Sequence, residues 1–133
     1  DWIHTHREKA LAAAEQKAAN RLTEAERKAA VKRAAQMLAE KTAHFAKEMD
    51  VTYGRITIRE QKTRWGSCSS AGNLNYNWKL VLMPECVMDY VVIHELAHQK
   101  EMNHSARFYA VVAQQMPDYK VWQSWLKEHG REY

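Results

Sequence analysis

Apolar residues recur along this chain first at helical spacing, then at strand spacing, then at helical spacing again. Ile3, Leu11, Ala14, Ala18 and Leu22 fall on one face of a helix, within an Ala-, Glu-, Gln- and Lys-rich stretch from Trp2 to about Asn20. Thr23-Glu24-Ala25-Glu26 has the form of a capping box, which predicts a second helix from there to about Met49, with Val31, Ala34, Leu38, Phe45 and Met49 facing inward. After Asp50 the period shortens to two. Ile56 and Ile58 alternate with Arg55, Thr57 and Arg59, as in a strand with one buried face. A second strand is expected around Thr63 to Ser67, a turn at Ser69-Ser70-Ala71-Gly72-Asn73, and a third strand through Leu74 and Tyr76. Together these predict a small antiparallel sheet, with a short extra strand at Lys79 to Leu82.

Pro84 suits the first turn of a helix, where its missing N–H costs nothing. The helix that follows is apolar nearly all round, through Val87, Tyr90, Val91, Val92, Ile93, Leu96 and Ala97, so it is expected to be the buried centre of the molecule. Asn103 suits a left-handed helix stop and Ser105 an N-cap for a helix through Gln115. Met116-Pro117-Asp118 closes that helix, and Tyr119 to His129 forms a last one with Trp122, Trp125 and Leu126 inward. The fold class is α+β: N-terminal helices, a small antiparallel sheet, a central helix and C-terminal helices.

With 133 residues, 46% of them hydrophobic, the chain is expected to form one domain, a helical segment over 1–49 followed by the sheet and core over 50–133. It starts at Asp1 and runs straight into a helical pattern, which suggests a piece of a longer protein. The net charge of +4 raises nucleic acid as a partner, but basic and acidic residues alternate (Glu26, Arg27, Lys28, Lys32, Arg33, Glu40, Lys41), as on a solvated helix face. No apolar run reaches the roughly 20 residues a bilayer span needs. The two cysteines, Cys68 and Cys86, are too few for a disulfide framework and suit a cytoplasmic location.

The chemistry concentrates on the central helix, in His94-Glu95-Leu96-Ala97-His98 with His104 beyond it. Residues four apart on a helix lie one turn above each other, about 40° apart, so both imidazoles reach one metal ion, while Glu95, about 100° from His94, flanks the ion without binding it. A continuous helix would carry His104 about 15 Å along the axis from His94, so the chain must break before it. Glu101 competes as third ligand from the same helical face. Three histidines leave a fourth position for water, as in catalytic zinc sites, whereas closed structural sites favour four ligands and cysteine. The other histidines (His4, His6, His44, His129) are expected at exposed or terminal positions, and Cys68 is expected to be a small buried thiol.

Arg64-Trp65-Gly66-Ser67-Cys68, Asn75-Tyr76-Asn77-Trp78-Lys79-Leu80, Tyr90 to His98 and Asn103-His104-Ser105 together resemble the YgjP-like family of zinc metallopeptidases, over about residues 50 to 130. More distantly the pattern is similar to the zincin core of SprT-like and WLM proteases, some of which act on proteins attached to DNA. The resemblance implies a zincin-like fold, further strands before the first helix, His94, His98 and His104 as zinc ligands, and Glu95 as the acid/base acting on a zinc-bound water. Peptide or protein is then the expected substrate, held along an edge strand at Leu74 to Asn77, with Tyr109, Tyr119, Asn103 or Arg64 as candidate oxyanion donors. Two alternatives remain at this level. One is hydrolysis of a nucleoside triphosphate such as UTP, with Arg55, Arg59, Lys62, Arg64 or Lys79 on the phosphates; the other is a non-enzymatic domain that binds DNA or protein.

Overall fold

A computed structural model describes residues 22–60 and 64–133. The helix expected from Trp2 to about Asn20 lies outside these residues. The next helix, α1 (Glu24–Met49), starts where the capping box places it: Thr23 Oγ1 accepts from the Glu26 N–H at 3.1 Å, and the Glu26 carboxylate accepts from the Thr23 N–H at 3.4 Å. It stops at Asp50, whose φ of 56° lets its N–H turn back to the Ala46 and Lys47 carbonyls. The buried stripe is Ala30, Ala34, Leu38, Thr42, Ala46 and Met49, rotated from the expected one; Val31 and Phe45 are only half-buried. Small residues let α1 lie close to the core, and Thr42 is satisfied there by the Tyr76 hydroxyl at 3.0 Å.

Three strands follow, β1 (Ile56–Arg59), β2 (Gly66–Cys68) and β3 (Leu74–Asn77), in the order β1-β3-β2. β2 and β3 form the expected hairpin, closed by a turn in which Gly72 takes a φ of 86°. β1 pairs with β3 in parallel, however, with Ile56 opposite Leu74 and Ile58 opposite Tyr76, so the sheet is mixed rather than antiparallel. The chain leaving β1 crosses to the far edge before making β2, and the hairpin then inserts β3 in the middle. Alternation along a strand tells which face is buried; it does not tell the direction of the neighbour.

The short strand expected at Lys79 to Leu82 is instead a 3-10 helix, Trp78–Leu82. Asn77 starts it by accepting the Lys79 N–H on its side-chain oxygen at 3.0 Å. Next comes α2 (Glu85–Ala97), with Val87, Met88, Tyr90, Val91, Val92, Ile93, Leu96 and Ala97 all buried. Each of the larger aliphatic side chains contributes about 1.5–3 kcal/mol by leaving water. Helix α2 packs against α1, β2 and the two helices that follow it, α3 (Ala106–Gln115) and α4 (Tyr119–His129). A 3-10 turn, Gly130–Glu132, ends the chain's regular structure. Among the described residues no helix is long and apolar enough to cross a membrane.

Candidate metal centre

The last turns of α2 carry His94, Glu95 and His98 beside strand β2. The helix ends by tightening: Gln99 N–H reaches the Leu96 carbonyl and Lys100 and Glu101 N–H reach that of Ala97, each at 3.0 Å. Asn103 does not take the left-handed conformation expected of it, since Asp50 is the only non-glycine with positive φ among the described residues. The reversal is spread over residues 98–105 and completed when the Asn103 carbonyl accepts the Ser105 N–H at 2.8 Å. Ser105 then caps α3 by accepting the Phe108 N–H at 3.3 Å. This cap holds Phe108, fully buried, under the rings of His94, His98 and His104, with centroids 4.8, 4.5 and 5.0 Å away.

The three imidazoles point their Nε2 atoms at one another, His94 to His104 at 3.2 Å and His104 to His98 at 3.2 Å. Tetrahedral coordination with zinc–nitrogen bonds of about 2.0–2.1 Å would separate ligand nitrogens by about 3.3 Å, so this spacing suits such an ion. The protonation pattern suits it too. His98 Nδ1 lies 3.2 Å from the Glu101 carbonyl, which can only accept, so the ring's proton sits on Nδ1 and the Nε2 lone pair faces the cluster. His94 Nδ1 lies 3.2 Å from the Tyr90 hydroxyl. Burial, followed by the neighbouring His98 and His104, pushes His94 down to about 4, and burial also lowers His98, so both rings are neutral at pH 7. A neutral His98 protonated on Nδ1 carries no proton on its Nε2 to share with the neighbouring rings. Such a donor set fits a borderline cation such as zinc.

Glu95 is buried beside this cluster, its Oε1 3.9 Å from His98 Nε2. Burial pushes its carboxyl up to about 8, against the pull of Arg64. A cleft of about 380 Å³ opens over the site, with the three histidines and Glu95 on one wall and Arg64, Gly66, Ser67 and Cys68 on the other. Gly66 makes this close approach feasible. A Cβ there would sit 3.1 Å from the Cγ and Oε2 of Glu95 and from Val91 Cγ1.

The structure brings His94, His98 and His104 together, whereas Glu101 contributes only its backbone carbonyl, behind His98. Of the cations set out for phosphate, Arg64 alone among the described residues lines the cleft. Arg59 bonds Asn75, Lys79 bonds the Tyr133 carbonyl, Arg55 is exposed on β1's side of the sheet, and Lys62 lies outside the described residues. Cys68 is half-buried and receives a hydrogen bond from Gln99 at 3.6 Å; burial, then Glu95, raises its pKa, which keeps it a thiol. Tyr109 stacks on Tyr119 with its ring 6.2 Å from that of His104, and Asn103 is exposed. Strand β3 is central, so the edge beside the cleft belongs to β2. His44 is exposed and His129 ends α4, as expected, the latter half-buried against Trp125; His4 and His6 lie outside the described residues. Phe108 was not singled out by the sequence, and Tyr90 and Gly66 were named only as a core position and within motifs, although Tyr90 stands one helical turn before His94, a spacing that points to its part behind that ring.

A family model described as YgjP-like, metallopeptidase domain, matches residues 1–129. Among solved structures, the metallopeptidase zymogen abylysin of Pyrococcus abyssi aligns with a TM-score of 0.61 and 22% identity, covering 71% of this chain and 96% of that one. The zymogen jannalysin of Methanocaldococcus jannaschii aligns with a TM-score of 0.56 and 19% identity, covering 68% and 95%. These two likenesses are likenesses of fold. No curated protein matches the chain.

Proposed function

The chain belongs to the YgjP-like metallopeptidase domain family, and from that premise we propose that it is a zinc-dependent peptidase in which His94, His98 and His104 hold the ion and Glu95 moves the proton. When bound, zinc supplies Lewis-acid polarisation of a peptide carbonyl and of water at neutral pH. Glu95 takes a proton from the attacking water as its oxygen bonds the carbonyl carbon. The same carboxyl returns that proton to the amide nitrogen as the C–N bond breaks. Tyr90 and the Glu101 carbonyl hold two of the imidazoles in orientation through their Nδ1 atoms.

Strand β2 supports a peptide as substrate. Trp65 and Ser69 hydrogen-bond across to β3, through the Asn77 N–H to the Trp65 carbonyl and the Ser69 N–H to the Asn73 carbonyl, both at 2.9 Å. The antiparallel alternation therefore turns the backbone N–H and C=O of Gly66 and Cys68 outward on the edge that borders the cleft. An extended peptide can add to that edge as a further strand, which brings its carbonyls past Glu95.

The observation that carries this reading is the triangle of Nε2 atoms with the His98 lone pair directed into it. The test is to load the protein with zinc and incubate it with a peptide library, and separately with UTP. Peptide cleavage that stops on chelation and returns with zinc supports the reading. UTP turnover without peptide cleavage, or activity of neither kind, overturns it.

A further inference from the structure

A second cavity, of about 170 Å³, adjoins the cleft at Gly66, His94 and Glu95. Its walls are Trp65, Tyr90, Val91 and Leu126, apart from an edge formed by Gly66, His94 and Glu95. That edge is the link between the two spaces, because the same three residues also line the cleft over the histidines. The cavity is thus an apolar side chamber that opens where the reacting bond would lie. Its walls come from Trp65 just before β2, from α2 and from α4, and Trp65 and Leu126 are half-buried, so the chamber is reached from the surface.

Chemistry decides what such a chamber takes. Tyr90's hydroxyl is engaged with His94 Nδ1, and burial pushes that phenol's pKa far up, so it brings no charge. Among the described residues no Lys, Arg or Asp lines the space, and Glu95 stands at the edge it shares with the cleft. A charged side chain entering it would lose water without finding a partner. An apolar cavity of about 150 Å³ holds a benzene molecule, so a chamber of this size admits a Leu, Met or Phe side chain and is underfilled by Ala.

We propose that this chamber is a specificity pocket, which receives a medium-sized apolar side chain flanking the scissile bond. The proposal rests on the peptidase reading above, and Leu126 is its adjustable wall. Leu126 comes from α4 rather than from α2, which carries Glu95, and it is half-buried, so substitution there is tolerable. In zinc-loaded wild-type protein, peptides that differ only at the two residues flanking the cleaved bond should show at least about a 10-fold higher kcat/KM for Leu, Met or Phe than for Ala or Asp at one of them. Leu126→Trp should bring the Leu and Phe peptides down to the level of the Ala peptide. Leu126→Ala should extend cleavage to Trp.

A binding measurement stands apart from turnover. N-acetylphenylalaninamide titrated into wild-type protein should shift the NMR signals of the Trp65 indole N–H and of the Val91 and Leu126 methyls, and Leu126→Trp, with its fold checked by circular dichroism, should abolish those shifts. Equal rates for all flanking residues, or a probe that leaves these signals unmoved, overturns the pocket. Probe binding without any peptide cleavage keeps the pocket and overturns the peptidase reading instead.

Discussion

Helix α2 carries a polar cluster at each end, and the two are built on opposite principles. At its start, Lys41 from α1 reaches Glu85 and Asp89, each at 2.7 Å, with the lysine side chain only 15% exposed. One cation faces two carboxylates, and the group is complete. At its finish, three imidazoles gather their Nε2 atoms beside a buried carboxyl. The first cluster joins two helices by charge pairing. The second gathers lone-pair donors, the kind of set that suits a metal ion. The two ends sit on one helix, so local propensity does not separate them; the complementarity of what surrounds each does.

The sharpest way to break this contrast is to act on the histidine end. Glu95→Gln removes the proton-moving carboxylate but keeps its shape, so peptide turnover should fall by about 10³-fold while zinc content stays at one ion per chain. Turnover near the wild-type rate would show that Glu95 has no such part. Next in size, His104→Ala removes a donor and leaves two, which should weaken zinc binding by about 100-fold or more, read by competition with a chromogenic chelator. Glu101→Gln, by contrast, should leave zinc affinity as it is, because only that residue's backbone is used.

The complete end should answer differently. Lys41→Met strands Asp89, which burial already raises and which Lys41 offsets, so the fold should lose about 2 kcal/mol in urea melts at pH 7. Zinc affinity of the folded protein should not move. If it drops as stability drops, the two clusters are one coupled unit and the contrast fails. The smallest effect is expected from Tyr90→Phe, which removes the oxygen behind His94 and should raise the zinc dissociation constant about 10-fold with little change in the melting curve.

Much of this architecture was legible where a boundary is local chemistry. Thr23 and Glu26, Pro84, Ser105 and the Met116-Pro117-Asp118 break stand where α1, α2, α3 and α4 begin or end, because caps and prolines act within one turn. The sheet was legible as strands but not as an order. Nothing local says that β3 inserts between β1 and β2, and this is why β2 rather than β3 offers the open edge. The stripe on α1 was misjudged at Phe45 because Thr42 finds its partner, Tyr76, 34 residues away. Three histidines at suitable spacing were visible at once, while Phe108 beneath them and the Glu101 carbonyl behind His98 depend on a loop path that spacing does not encode.

X-ray absorption at the zinc edge of the protein loaded with one equivalent of zinc addresses the histidine cluster most directly. The expected spectrum shows three imidazole nitrogens at about 2.0–2.1 Å and a lighter remaining shell without sulfur. It should lose imidazole scattering in His98→Ala. A sulfur neighbour at about 2.3 Å, which would bring in Cys68, or the absence of stoichiometric zinc binding, would contradict the reading of this cluster as a three-histidine metal centre.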